Sequence, residues 1–147
     1  MKMEDIINQD IKNAMIEKNE EKLNAIRTIK SAIQNEKAKD GKEVSDEGII
    51  KIIQKLVSQR TESAMQYAEG ERQDLVLQEE TLIKIFKTYL PTQLTEDEVT
   101  IKIKEFILIT NASSIRDMGK VMALANKEFV GKADMKQVGS IVKTLLT

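Results

Sequence analysis

Tyr89-Leu90-Pro91-Thr92-Gln93-Leu94-Thr95 is the stretch that decides how this chain is divided. Pro91 is the only proline in 147 residues. Its ring removes a backbone N–H and pushes Leu90 away from helical dihedrals, so a helix that reaches Leu90 stops there. Thr95-Glu96-Asp97-Glu98 then starts another helix. The Thr95 hydroxyl accepts from the N–H three residues on, and the Glu98 carboxylate reaches back to the N–H of Thr95. The stretch predicts a joint between an N-terminal helical domain, 1–91, and a smaller C-terminal domain, 92–147.

Upstream of the joint the apolar residues recur at helical spacing. Ile7, Ile11, Ala14, Met15 and Lys18 fall on one face of a helix running from 4 to about 18. Leu23, Ile26, Ile29 and Ile33 do the same from 20 to about 39, and Asp40-Gly41 closes that helix. The short turn at Asn19 predicts that these two helices pack antiparallel. Ser45 caps a third helix, with Asp46 and Glu47 at the positive end of its dipole. It carries Ile49, Ile52, Ile53, Leu56, Val57, Ala64, Tyr67 and Ala68, and at about 24 residues it spans roughly 36 Å. Gly70 ends it. Leu75, Leu82, Phe86 and Tyr89 mark a fourth helix, closed by Pro91.

Downstream, residues 96–109 carry two signals. Val99, Ile101 and Ile103 alternate with Thr100, Lys102 and Lys104 as a strand would. The capping box and the set Val99, Ile103, Phe106 and Ile107 argue for a helix, and a lone strand without a partner is unstable. The helix is the reading adopted. Ser114 or Asp117 caps the next helix, with Met118, Val121, Met122 and Ala125 inside, and Gly131 breaks it. Asp134 with Gln137 opens a last helix carrying Val138, Ile141, Val142 and Leu145. The fold class is all-α, a four-helix unit followed by a three-helix one.

Composition narrows the chemistry. There is no Cys and no His, so thiol chemistry, the commonest general base and the commonest metal ligand are all missing. No phosphate-cradling glycine loop is present. Adjacent acids such as Glu79-Glu80 splay to different helix faces. No catalytic residue, metal site or cofactor is expected. The N-terminus is acidic where a secretory signal needs an apolar core, and the longest apolar run, Phe106 to Ile109, cannot span a bilayer. The expected setting is the cytoplasm, without membrane attachment.

Two clusters stand out. From residue 110 onward the bases are Arg116, Lys120, Lys127, Lys132, Lys136 and Lys143, and the acids are Asp117, Glu128 and Asp134. That excess of three positive charges sits in a chain of net charge −1. It suits phosphate contacts, with an ordinary solvated surface as the simpler alternative. Helix starts near Lys120 and Lys132 attract anions, yet Asp117 and Asp134 sit at the same starts. Gly119 and Gly139 inside helices point to close helix crossing before close approach of an RNA backbone. In the N-terminal unit, Arg27, Lys30, Asn35, Glu36 and Arg60 form a candidate polar cluster. An Arg on an apolar stripe needs a carboxylate, and Glu36 or Glu62 is the expected partner.

These same residues carry a resemblance. Arg27-Thr28-Ile29-Lys30 with Asn35-Glu36, Gln59-Arg60 with Glu62-Ser63, and Gly70-Glu71-Arg72-Gln73-Asp74-Leu75 resemble the GatB/YqeY family, as do Tyr89-Leu90-Pro91-Thr92-Gln93-Leu94, Asp117-Met118-Gly119-Lys120-Val121-Met122 and Gly131-Lys132-Ala133-Asp134. The match runs in order along essentially the whole chain and is nearest to the free-standing YqeY-like proteins. It implies a helical domain joined to a three-helix tail like that of GatB, the glutamine-dependent amidotransferase subunit whose tail helps to hold tRNA. Three functions follow as expectations. The first is a non-catalytic adaptor binding tRNA or structured RNA through Arg116, Lys120, Lys127, Lys132 and Lys136. The second is a protein-interaction module docking on an amidotransferase or other partner, with Met15, Met65, Met118 and Met122 as adaptable packing. The third is a share in carbon–nitrogen ligase activity with glutamine as amido-N-donor, for which the chain holds no recognisable site.

Overall fold

Local chemistry sets each helix boundary in the computed structural model, which describes residues 2–147. The described residues form seven α-helices, one 3-10 turn and no strand. In order they are α1 (Met3–Glu17), α2 (Glu20–Asp40), α3 (Asp46–Glu69), α4 (Gln73–Lys87), α5 (Glu96–Thr110), the 3-10 turn Ile115–Asp117, α6 (Met118–Glu128) and α7 (Met135–Leu146). The chain divides into two compact units, Met1–Leu90 and Pro91–Thr147.

In the first unit the caps act as their residue types require. The Asn19 side chain accepts from the Lys22 N–H at the start of α2, and Ser45 accepts from Gly48 at the start of α3. Gly41 ends α2 in the left-handed conformation, φ 72°. Lys18, expected on the inner face of α1, is instead the exposed left-handed residue that terminates it. The helix stops one residue short of where its stripe would have placed that side chain. At the end of α3 the left-handed residue is Glu71, φ 57°, and Gly70 stays at φ −82°. The Glu4 carboxylate on α1 meets Lys37 on α2, and Asn8 meets Lys30, so the two helices run antiparallel.

Pro91 terminates α4 from a distance. The helix ends at Lys87, and the N–H groups of Thr88, Tyr89 and Leu90 each bond the carbonyl three residues back. The last turn tightens because Leu90 cannot take helical dihedrals ahead of the proline. The core of this unit is Ile7, Ile26, Ile29, Ile33, Ile49, Ile53 and Phe86, all fully buried, with Ala14 and Ala25 where α1 and α2 pack. α4 lies along α3 and also touches α2, while α1 lies on α2 and α3.

The second unit opens with α5, whose Thr95–Glu98 capping box forms in both directions. Its inner side chains Val99 and Ile103 join Val121, Ala125, Phe129, Val138, Val142 and Leu146 in a separate core. The Phe106 and Phe129 rings pack tilted with centroids 5.9 Å apart. The segment Pro91–Leu94 is tied to the loop after α6. The Leu94 N–H bonds the Lys132 carbonyl at 2.9 Å. The Gln93 amide donates to the carbonyls of Gly131 at 2.7 Å and Pro91 at 2.8 Å. Gly131 is buried at φ 72°, a conformation that a side chain would strain.

Candidate functional site

The basic residues beyond residue 110 divide by element. Arg116 lies in the 3-10 turn, Lys120 and Lys127 on α6, Lys132 in the loop after it, and Lys136 and Lys143 on α7. All six are exposed. Lys120 and Lys127 are seven residues apart, two helical turns, and so share the α6 face opposite Val121 and Ala125. Lys136 and Lys143 share the outer face of α7 in the same way. Of these six, and among the described residues, only Lys120 has a carboxylate within 4 Å, Asp117 at 3.8 Å. The backbone of Lys132 is fixed at both ends, its N–H to Phe129 and its carbonyl to Leu94.

The acids at the two helix starts are engaged by their own backbone. Asp117 accepts from the Ser113 N–H at 2.9 Å, and that bond holds its carboxyl below the ordinary value. Asp134 accepts from the Lys136 N–H at 3.0 Å. Only the start of α7 is therefore capped by its acid: neither Ser114 nor Asp117, the caps expected for α6, bonds an N–H of that helix, because Asp117 turns back to Ser113. Gly119 has nothing within 4 Å of where a Cβ would stand, and Gly139 meets only the Met118 methyl at 3.9 Å. Close helix crossing does not explain either glycine. The positive excess is also local. Over residues 91–147 eight bases stand against seven acids, because α5 brings Glu96, Asp97, Glu98 and Glu105.

The polar residues singled out in the first unit are not joined to one another. Among the described residues Arg27 and Asn35, both exposed, have no side-chain partner, and Glu36 pairs with its neighbour Lys39. Lys30 turns to α1, donating to Asn8 and lying 3.7 Å from Glu4. Arg60 pairs with Glu79 on α4 at 3.5 Å, and neither Glu36 nor Glu62 reaches it. Sequence periodicity could not find Glu79, because its burial depends on how α4 rotates onto α3. Its Oε1 receives Arg60, and its Oε2 is buried without a protein partner. Tyr89 donates to the Asp10 carboxylate at 2.5 Å, and burial together with that bond raises its phenol above the ordinary range. A cleft of about 420 Å³ at the α2–α3 turn is lined by Glu36, Asp40 and Glu43 and by Lys42, Lys51 and Lys55. Its charges balance, so it favours neither sign of ligand. Among the described residues no three acids come together as a metal site would need, and no helix is long and apolar enough to cross a membrane.

Of the four methionines expected at a docking surface, Met118 and Met122 pack against the second core. Met15 and Met65 are exposed.

Comparison with known proteins agrees over nearly the whole chain. The family described as Yqey-like protein matches residues 4–146. The protein named "Altered inheritance of mitochondria protein 41, mitochondrial" from Saccharomyces cerevisiae (strain YJM789) is 31% identical over 144 residues, covering 95% of this chain and 74% of the relative. The protein of the same name from Lachancea thermotolerans is 32% identical over 105 residues, 71% of this chain and 56% of the relative. These names correct the expectation of a cytoplasmic setting, since the relatives are named as mitochondrial. The physical reason is plain. An apolar core is what a secretory signal needs, whereas mitochondrial targeting reads a basic amphipathic segment, so the lack of an apolar core does not bear on it.

Proposed function

The chain belongs to the YqeY-like protein family, and on that premise we propose that it is a non-catalytic helical adaptor whose second unit holds tRNA or another structured RNA by its phosphates. One observation carries this reading. Among the described residues five of the six bases beyond residue 110 lie exposed with no carboxylate within 4 Å, while two of the three acids beside them, Asp117 and Asp134, accept backbone N–H groups. Lysines in that state can exchange bound counterions for phosphates, and counterion release is the main source of affinity for a folded RNA. The contacts fall to Arg116, Lys120, Lys127, Lys132 and Lys136. Of these Lys132 is the best positioned, because the 91–94 segment holds its backbone. No observation favours amide transfer by this chain, with glutamine or any other donor. A protein-docking role is the second reading, favoured by exposed Met15 and Met65.

The test is a titration of the full chain with bulk tRNA at several salt concentrations. The expected result is measurable binding at low salt that weakens steeply as salt rises. Changing Lys127, Lys132 and Lys136 together to Ala is expected to lower the slope of log affinity against log salt by about 2–3. Absence of binding at low salt, or a slope that survives the triple substitution, would overturn the reading.

A further inference from the structure

α5 has apolar residues on both sides. Val99 and Ile103 point into the second core, but Ile101, Leu108 and Ile109 are 60%, 79% and 72% exposed. Large apolar side chains exposed together on a face turned away from the core mark a contact surface. Ile101, Glu105 and Leu108 follow one another at four and then three residues, so they form a ridge about 10 Å long, with Lys104 on its flank. Among the described residues Lys104 has no carboxylate within 4 Å. Glu105 has only its own-helix neighbour Lys102, at 3.8 Å.

We propose that this ridge is covered by a second copy of the same chain, with the two α5 helices antiparallel about a two-fold axis between Lys104 and Glu105. The charge pattern selects this occupant and this register. About that axis Ile101 meets the partner's Leu108, Leu108 meets the partner's Ile101, and Lys104 meets the partner's Glu105 twice over. A parallel pairing would set each lysine against a lysine. Moving the antiparallel axis onto Glu105 would set the two glutamates against each other. An isologous contact needs one self-complementary patch, which this ridge is. The contact is one 15-residue helix wide, below the ~800 Å² per partner of a standard interface, so the dimer is weak and forms in roughly the micromolar range.

Sedimentation equilibrium of the full chain without RNA, from roughly 1 to 500 μM, reads the association directly. The expected result is a reversible monomer–dimer equilibrium that Leu108→Asp abolishes. Because Leu108 is exposed, that variant is expected to keep its helical circular dichroism. Lys104→Glu alone and Glu105→Lys alone are each expected to weaken the dimer by roughly tenfold, through like-charge contacts at the axis. The double swap Lys104→Glu with Glu105→Lys restores the pairing with its signs exchanged, and dimerisation should return. A chain that stays monomeric throughout leaves the ridge to a different protein or to solvent, and the proposal falls. It falls equally if Leu108→Asp still dimerises, or if the double swap is no better than either single change.

Discussion

The two units are built from similar amphipathic helices but treat their polar groups in opposite ways. In the first unit, side chains bond across helices: Glu4 with Lys37, Lys30 with Asn8, Tyr89 with Asp10, Arg60 with Glu79. In the second unit, no two side chains bond between helices among the described residues. Its two ion pairs, Lys102–Glu105 and Lys120–Asp117, are both three residues apart on one stretch of chain. The polar links between its distant segments run to backbone carbonyls, from the Gln93 amide to Gly131 and from the Leu94 N–H to Lys132. Cross-helix bonds fix how helices rotate on one another and consume the charges that make them. A unit without them relies on apolar contacts for its shape and keeps its charges for something else. The contrast teaches that the first unit fixes its helices with polar bonds between them, whereas the second leaves its charged groups at the surface.

The hardest way to break that comparison is to remove the apolar contacts on which the second unit depends. Phe129 is fully buried and packs its ring on Phe106. Phe129→Ala should cost about 3–5 kcal/mol, comparable to the whole stability that a core this small supplies. Amide exchange should show protection lost across residues 96–146 while α1–α4 keep theirs. Loss of protection in α1–α4 as well would mean the two units fold as one.

A smaller effect tests whether the cross-helix bonds of the first unit hold it closed. Arg60→Ala leaves the buried Glu79 carboxylate with no partner on either oxygen. Half-exposed Arg60 is partly screened by water, so the loss should be about 1–2 kcal/mol in chemical denaturation. Glu79→Leu should be neutral or stabilising, because an apolar residue of similar size avoids desolvating a charge. The double change should then lose less than Arg60→Ala alone. A double variant as unstable as Arg60→Ala would show that Arg60 acts by packing its stem and not by pairing Glu79.

What the sequence made legible was local. Asn19, Gly41, Ser45 and the Thr95–Glu98 box are decided within four residues of themselves, and each sits where its chemistry requires. The capping box also resolved the helix-or-strand ambiguity of 96–109. What escaped depended on helices meeting. Arg60 announced that it needed a carboxylate, but the choice among Glu36, Glu62 and Glu79 rests on the rotation of α4 against α3. Gln93 looked like an ordinary joint residue, and its grip on Gly131 crosses 38 positions. Gly119 suggested close helix packing, and open space surrounds it. The basic set beyond residue 110 was legible as a list of residues. That two of its acids, Asp117 and Asp134, accept the N–H groups of Ser113 and Lys136 was not.

The finest test separates the units by how their carboxylates respond to acid and salt. Lys37 bonded to Glu4 holds the Glu4 carboxyl below its ordinary value, so its folded value is lower than its unfolded one. The stability it adds is present above the unfolded value, about pH 4.3, and is lost as pH falls through the folded one. Asp117 is held low in the same direction, but chiefly by the Ser113 N–H. An ion pair at the surface is screened by salt, whereas a bond to a backbone dipole is much less so. The acid-side decline in amide protection of α1 and α2 should therefore flatten in molar salt, while that around residues 113–117 should not. Lys37→Met should flatten the first decline at low salt and leave the second unchanged. Equal salt sensitivity in both regions would mean that the Glu4–Lys37 pair adds nothing a surface charge would not, and the joining of the helices would then rest on Tyr89, Arg60 and the core.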